Sequence, residues 1–281
     1  DGRRRLLEPV GQRFFAFLGD GFIEQLKNRS LTEDVQVRGV GVIRLEKGVG
    51  FRVWAPNAEA VSVVGTFNEW KDGRHPLERE ENGIWAGAVP EAKPGDEYRY
   101  FLKKGKETLQ RVDPWARKVT NSNGNGIVWW PDEHAVGPRF KLSSYNELVI
   151  YELHTGSFNA VKGKGPGTFA TVIEKLPYLR DLGVNAIEVM PIAEFAGDFS
   201  WGYNPAHPFA VEGAYGGPEG FLALVQAAHA HGIGVILDVV YNHFGPGDLS
   251  LWQFDGWNEN NLGGIYFYND WKAKTPWADT R

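Results

Sequence analysis

With 281 residues, 42% of them hydrophobic, the chain can bury one large core or two of medium size. A net charge of −5 with no basic run excludes nucleic acid as the main partner, and no apolar stretch is long enough for a bilayer span, so no membrane partner is expected. The absence of cysteine removes disulfides and thiolate chemistry and fits a reducing, cytoplasmic compartment, whereas 11 Trp point towards carbohydrate, because aromatic faces stack on the apolar faces of sugar rings.

Residues 1–33 mix Arg with Leu6, Leu7, Phe14, Phe15, Phe17 and Phe22 and read as partly helical, interrupted by Gly11, Gly19 and Gly21. Arg3, Arg4 and Arg5 lead into only a brief apolar stretch, which does not read as a signal peptide. No function is assigned to this segment.

Residues 34–125 are expected to be all-β. Short β-rich runs at 35–38, 50–54, 60–64, 83–89 and 97–102 are separated by the turn dipeptides Pro56-Asn57, Asp72-Gly73, Asn82-Gly83 and Pro94-Gly95. Phe51 and Val53 alternate with Arg52 and Trp54, which is the pattern of a half-buried strand. An antiparallel, immunoglobulin-like sandwich follows from such spacing. Residues 126–144 read as a linker.

From Tyr145 to Arg281 the period changes. A strand at 148–154 is followed by Phe169, Val172, Ile173, Leu176 and Leu179 at helical spacing, with Thr168 as N-cap and Pro177 marking a kink. A second strand at Ala186–Met190 stops at Pro191. A second helix carries Phe221, Leu224, Val225 and Ala228 on one face, and a third strand runs from Gly234 to Val240. This β-α-β-α-β order demands parallel strands with right-handed crossovers. The segment 191–217 between the second strand and second helix is read as one long loop bearing Phe195, Phe199, Trp201, Tyr203, His207 and Tyr215. Trp201 and Tyr203 suit a sugar-stacking platform; most of the other aromatics are expected to pack the loop down.

The third strand ends in polar side chains. Alternation places Ile236, Asp238, Val240 and Asn242 on one face, with His243 where the strand runs out. An acid, an amide and an imidazole at the carboxyl end of a parallel strand suggest a ligand pocket. A satisfied structural carboxylate with a strand cap explains the same three residues in isolation; the surrounding chain favours the pocket.

These residues resemble the α-amylase superfamily of glycoside hydrolases (family 13), and more closely the amino-terminal part of its α-1,4-glucan branching enzymes. The resemblance is carried by Asp238-x-x-x-Asn242-His243 and by Tyr151-Glu-Leu-His154 with Gly156-Ser-Phe158. It extends to Trp201-Gly-Tyr203-Asn-Pro205 and, in the β-rich zone, to Gly65-Thr-Phe-Asn-Glu-Trp70 and Pro94-Gly-Asp-Glu-Tyr. It implies a carbohydrate-binding β module followed by a (β/α)8 barrel of which residues 145–281 supply three strands and the loop after the third. It also implies that Tyr203 stacks on the sugar beside the scissile bond, that Asp238 braces the subsite and holds an arginine, that His243 bonds the same sugar's primary hydroxyl, and that Asn242 orders the loop. Trp70 and Trp85 become glucan-contact candidates, weighed against a plain core role.

Retaining glycoside chemistry needs two carboxyl groups about 5–5.5 Å apart. In the resembled family they follow the fourth and fifth barrel strands, so neither Asp255, Asp270 nor Asp279 is taken as nucleophile. The expected function is 1,4-α-glucan branching in glycogen biosynthesis, on glycogen, amylose or maltooligosaccharide, with no cofactor and no metal. The chain by itself is expected to be inactive, a barrel fragment of that enzyme. The alternatives are a maltooligosyl trehalose trehalohydrolase, a debranching hydrolase, or a glucan-binding fragment without chemistry.

Overall fold

The chain is described here from a computed structural model covering residues 39–132, 140–273 and 275–276. The amino-terminal segment 1–33 and the expected strand at 35–38 lie outside the described residues, as do Trp277 and Asp279.

Alternation in the second zone becomes a two-layer β module. One antiparallel sheet has the order β1-β2-β5-β4, from β1 (Gly41–Arg44), β2 (Val49–Trp54), β4 (Glu78–Arg79) and β5 (Ile84–Val89). The other is β3-β6-β7, from β3 (Ala60–Gly65), β6 (Glu97–Lys104) and β7 (Glu107–Arg111), with β8 (Gly126–Ile127) also paired to β6. Inward residues of both sheets share one core: Phe51 and Val53 from β2, Trp85 and Val89 from β5, Val61 and Val63 from β3, Tyr98, Tyr100 and Leu102 from β6. The pairing of β8 and the packing of Val128 and Trp130 on this core carry the module into the stretch read as linker.

The third zone builds a parallel sheet of order β13-β10-β9, from β9 (Ile150–Leu153), β10 (Ala186–Val189) and β13 (Gly234–Leu237). Between β9 and β10 lie α1 (Thr155–Phe158), α2 (Phe169–Ile173) and α3 (Leu176–Asp181). Thr168 caps α2 by accepting the Thr171 N–H at 3.3 Å, as expected. The single kinked helix expected here is instead two, because Pro177 lies in the first turn of α3 and has no N–H to continue α2.

The segment 191–217 holds more than a loop. It contains an antiparallel ribbon, β11 (Ala193–Phe195) with β12 (Pro205–Val211), before α4 (Gly217–Ala230). The predicted apolar stripe of α4 is buried in a second core with Leu153, Ile187, Val189, Phe195 and Tyr215.

The two cores are joined by the segment after β13. Leu251 and Phe254 belong to the module's core, not to the parallel sheet's. Arg111 donates to the carbonyls of Phe254 (2.8 Å) and Gln253 (2.9 Å), and Val112 N–H donates to Ser250 Oγ at 2.8 Å. Asp255 accepts both the backbone N–H and the side-chain amide of Asn57 at 2.9 Å.

Candidate functional site

The register of the parallel sheet sets Glu152, Glu188 and Ile236 in one row. Val189, Val235 and Leu237 face the helix-covered core, so by alternation Glu152, Glu188 and Asp238 share the opposite face. Asp238 is the first residue past β13, yet its N–H still donates to Val189 O at 3.0 Å, which fixes the direction of its carboxylate. The strand is shorter than expected. Asn242 lies beyond it, so the shared face with Asp238 does not extend that far, and the chain bends at Asn242 instead.

Four of the expected residues converge at this strand end. The Tyr203 hydroxyl donates to Asp238 Oδ2 at 2.6 Å. That bond, with burial and the charges of Asp238, Glu152 and Glu188, pushes the phenol up to about 12, so it stays protonated and keeps donating. His243 Nε2 lies 2.7 Å from the Tyr203 carbonyl, which can only accept, so Nε2 carries the proton. Nδ1 of His243 then accepts from the Asn242 amide at 2.5 Å. Tyr203 is thus gripped through its hydroxyl and its backbone while its side chain remains 40% exposed. Trp201 projects from the same loop and is 72% exposed. Between them Gly202 has φ +89°, and a Cβ there would stand 2.1 Å from Pro191 O, so only glycine allows this turn.

The other loop aromatics divide. Phe195 and Tyr215 are core residues, and His207 is buried with Nε2 donating to Ser122 O at 2.8 Å. Phe199 is exposed. In the module, Trp70 is exposed at the end of the block Gly65–Trp70, where Glu69 (φ 55°) and Trp70 (φ 59°) both take the left-handed conformation. Asn68 fixes that turn by accepting from Gly65 N–H and donating to Val63 O. Trp85 is a packing residue: it lies in the core shared by the two sheets, its indole N–H donates to Ala55 O at 3.0 Å, and the Arg79 guanidinium lies over its ring. Of the two roles weighed for Trp85, the packing is that of the core role.

Sequence reading did not single out the carboxylates of Glu194 and Glu212, both 2% exposed at the base of the ribbon. Glu194 accepts from Gly213 N–H, and Glu212 from Ala214 and Phe195 N–H. Burial, then the charge of Glu212, raises Glu194 to about 8; burial raises Glu212 to about 7. Glu194 lies inside β11 and Glu212 just past β12, in a ribbon that the sequence did not announce, so neither position stood out.

The arrangement presents two exposed aromatic rings beside a carboxylate that can accept further hydrogen bonds. Among the described residues of the tail neither acid is placed as a nucleophile: Asp255 is fully buried and occupied by Asn57 and Trp257, and Asp270 accepts the Lys272 N–H. Among the described residues no group of three or more His, Asp and Glu side chains is arranged for a metal ion, and no helix is long and apolar enough to cross a membrane.

Residues 39–116 match the family profile "Carbohydrate-binding module 48 (Isoamylase N-terminal domain)", and residues 152–268 match "Alpha amylase, catalytic domain". Among curated relatives, a 1,4-alpha-glucan branching enzyme from Rhodopseudomonas palustris (strain HaA2) is 37% identical across 88% of this chain and 35% of its own length. A malto-oligosyltrehalose trehalohydrolase from Saccharolobus solfataricus is 38% identical across 84% of this chain and 38% of its own length. Pullulanase type I from Bacillus subtilis, solved with maltose, superposes with a TM-score of 0.64 at 28% identity, over 81% of this chain and 35% of that one. The chain therefore spans little more than a third of the length of these relatives.

Proposed function

The chain belongs to the α-amylase family through residues 152–268, preceded by a carbohydrate-binding module 48 at 39–116, and from this we propose that it forms the glucan-binding side of an enzyme that branches 1,4-α-glucans. In this reading the two-sheet module is immunoglobulin-like, and β9, β10 and β13 are the first three strands of a (β/α)8 barrel. The observation that carries the reading is the cluster Tyr203–Asp238–His243 at the carboxyl end of the parallel strands, beside an exposed Trp201. Tyr203 offers a ring to the apolar face of a glucose unit, Asp238 and His243 hold Tyr203 by its hydroxyl and its backbone carbonyl, and the Asp238 carboxylate can still accept from a sugar hydroxyl. Cleavage by retaining double displacement needs a carboxylate nucleophile and an acid/base about 5–5.5 Å apart, with the 6-hydroxyl of another glucan as acceptor. A cytoplasmic setting belongs to the same proposal, supported by the absence of cysteine.

Titration calorimetry with maltoheptaose tests the binding half: the chain binds, and Tyr203→Ala weakens binding about tenfold or more. Equal affinity in both sinks the site. The chemistry is tested by incubating the chain with amylose. No change in iodine colour and no release of reducing ends is expected of this polypeptide alone. Reading the gene past the Arg281 codon then separates the classes. A downstream strand ending in Arg-x-Asp, and a later one ending in Glu, supports the enzyme; a stop codon there favours a glucan-binding protein without chemistry.

A second reading, hydrolysis of maltooligosyl trehalose, has the 38% identity to the trehalohydrolase in its favour. Free trehalose released by the protein in its full gene context would select it. A shift of iodine colour without proportionate reducing ends selects branching.

A further inference from the structure

The loop that presents Trp201 and Tyr203 is fastened at its start as well as at its end. The Ser200 carbonyl lies 2.7 Å from His154 Nε2 and 3.2 Å from the Tyr215 hydroxyl. That carbonyl can only accept, so Nε2 of His154 carries the proton and Nδ1 accepts from the Ser157 hydroxyl at 2.9 Å. The Tyr215 oxygen is itself 2.9 Å from His154 Nε2, and the two rings meet edge-on at 5.9 Å. His154 is the residue just past β9, and Tyr215 is 1% exposed in the core just before α4. Two elements of the barrel side therefore close on one carbonyl. Gly156 leaves the room for this: a Cβ there would stand 2.9 Å from His154 Cε1 and 3.0 Å from the Tyr215 hydroxyl.

Ser200 passes the constraint on. Its hydroxyl accepts from Gly202 N–H at 3.0 Å and donates to Asn204 Oδ1, so the turn on either side of Tyr203 is tied to it. We infer that His154 and Tyr215 are positioning residues for Tyr203: they clamp the Ser200 carbonyl, and the clamp sets the ring of Tyr203 over the end of β13. The consequence for sugar binding rests on the glucan reading above; the clamp itself does not.

Amide hydrogen exchange on the whole chain tests the clamp without a ligand. In His154→Ala and Tyr215→Phe, exchange across residues 199–206 rises about tenfold, the loss of one net hydrogen bond, while β2 and β6 keep their rates. His154→Gln, whose amide N–H reaches the same carbonyl, restores the slow exchange. Unchanged exchange in 199–206 overturns the inference, and Tyr215→Phe, which removes a single hydroxyl, decides it even where His154→Ala does not fold. Maltoheptaose titration adds a readout that a merely structural role does not move. His154→Ala weakens binding about tenfold in the otherwise native chain and has no further effect in a Tyr203→Ala background. Equal losses in both backgrounds overturn the inference. If the native chain binds no maltoheptaose, the glucan reading falls and exchange alone decides the clamp.

Discussion

Tyr203 meets two demands with one side chain. Its hydroxyl is committed to Asp238, and its ring is left for a ligand. Tyr203→Phe removes the first and keeps the second. Its maltoheptaose Kd is therefore expected to rise only about threefold, against the tenfold or more of Tyr203→Ala, in parallel calorimetric titrations. The buried pair Glu194 and Glu212 makes a separate prediction. Both are raised in the folded protein, so below the ordinary carboxylate range both states are protonated and nothing is lost. As pH rises past about 4.5 the unfolded chain ionises first, and stability falls until the folded groups titrate at about 7 and about 8. Thermal melts are expected to show native Tm falling between pH 5 and pH 8, by on the order of a few kcal/mol in stability. Glu194→Gln is expected to flatten that slope. At this scale the sequence was most legible where chemistry and position coincide. Asp238 and His243 stood out as polar residues where a strand runs out and Tyr203 as a loop aromatic, and the fold brings the three together. His154 and Tyr215 were not, because a histidine and a tyrosine 61 residues apart meet only through the tertiary fold.

Elements were legible where one periodicity ran undisturbed. The pleat of β2 and β6 and the stripe of α4 follow directly from Phe51/Val53, Tyr98/Tyr100 and Phe221/Leu224/Val225. The ribbon β11–β12 was hidden because β12 contains Pro205 and Pro208, which argue against a strand in sequence. Paired on one side only within a two-stranded ribbon, β12 tolerates both. The register also shifts along the ribbon, which erases simple alternation. The ribbon delivers the turn at Gly202. Gly202→Ala is expected to strain that turn by about 1–3 kcal/mol and to abolish measurable maltoheptaose binding, as seen in a lowered Tm and a flat titration. Native affinity in the Gly202→Ala protein would show that the turn's shape is irrelevant to the site.

At the scale of the molecule, the module and the parallel sheet cannot be cut apart at a linker. Leu251 and Phe254, which follow β13, complete the module's core, and Asp255 is tied to Asn57. Nothing in the local sequence of 250–267 announces this. Its residues read only as the loop after the third strand, and a contact bridging 198 residues shows where they go. Phe254→Ala is expected to cost about 3–5 kcal/mol and to lower a single calorimetric transition shared by both parts. Two separated transitions in the native chain would instead show independent units.

That joint also has a cost in time. During synthesis the described strands of the module, β1 to β8, leave the ribosome long before Phe254 is made, and the Trp54–Tyr266 contact has to wait for 212 further residues. Until then the nascent module lacks the Leu251 and Phe254 side chains of its core and exposes apolar surface there, a surface suited to holdase chaperones and to self-association. Slowing translation ahead of codon 250 should therefore lower the yield of native protein, whereas the same delay placed once residues 250–267 have left the ribosome should not.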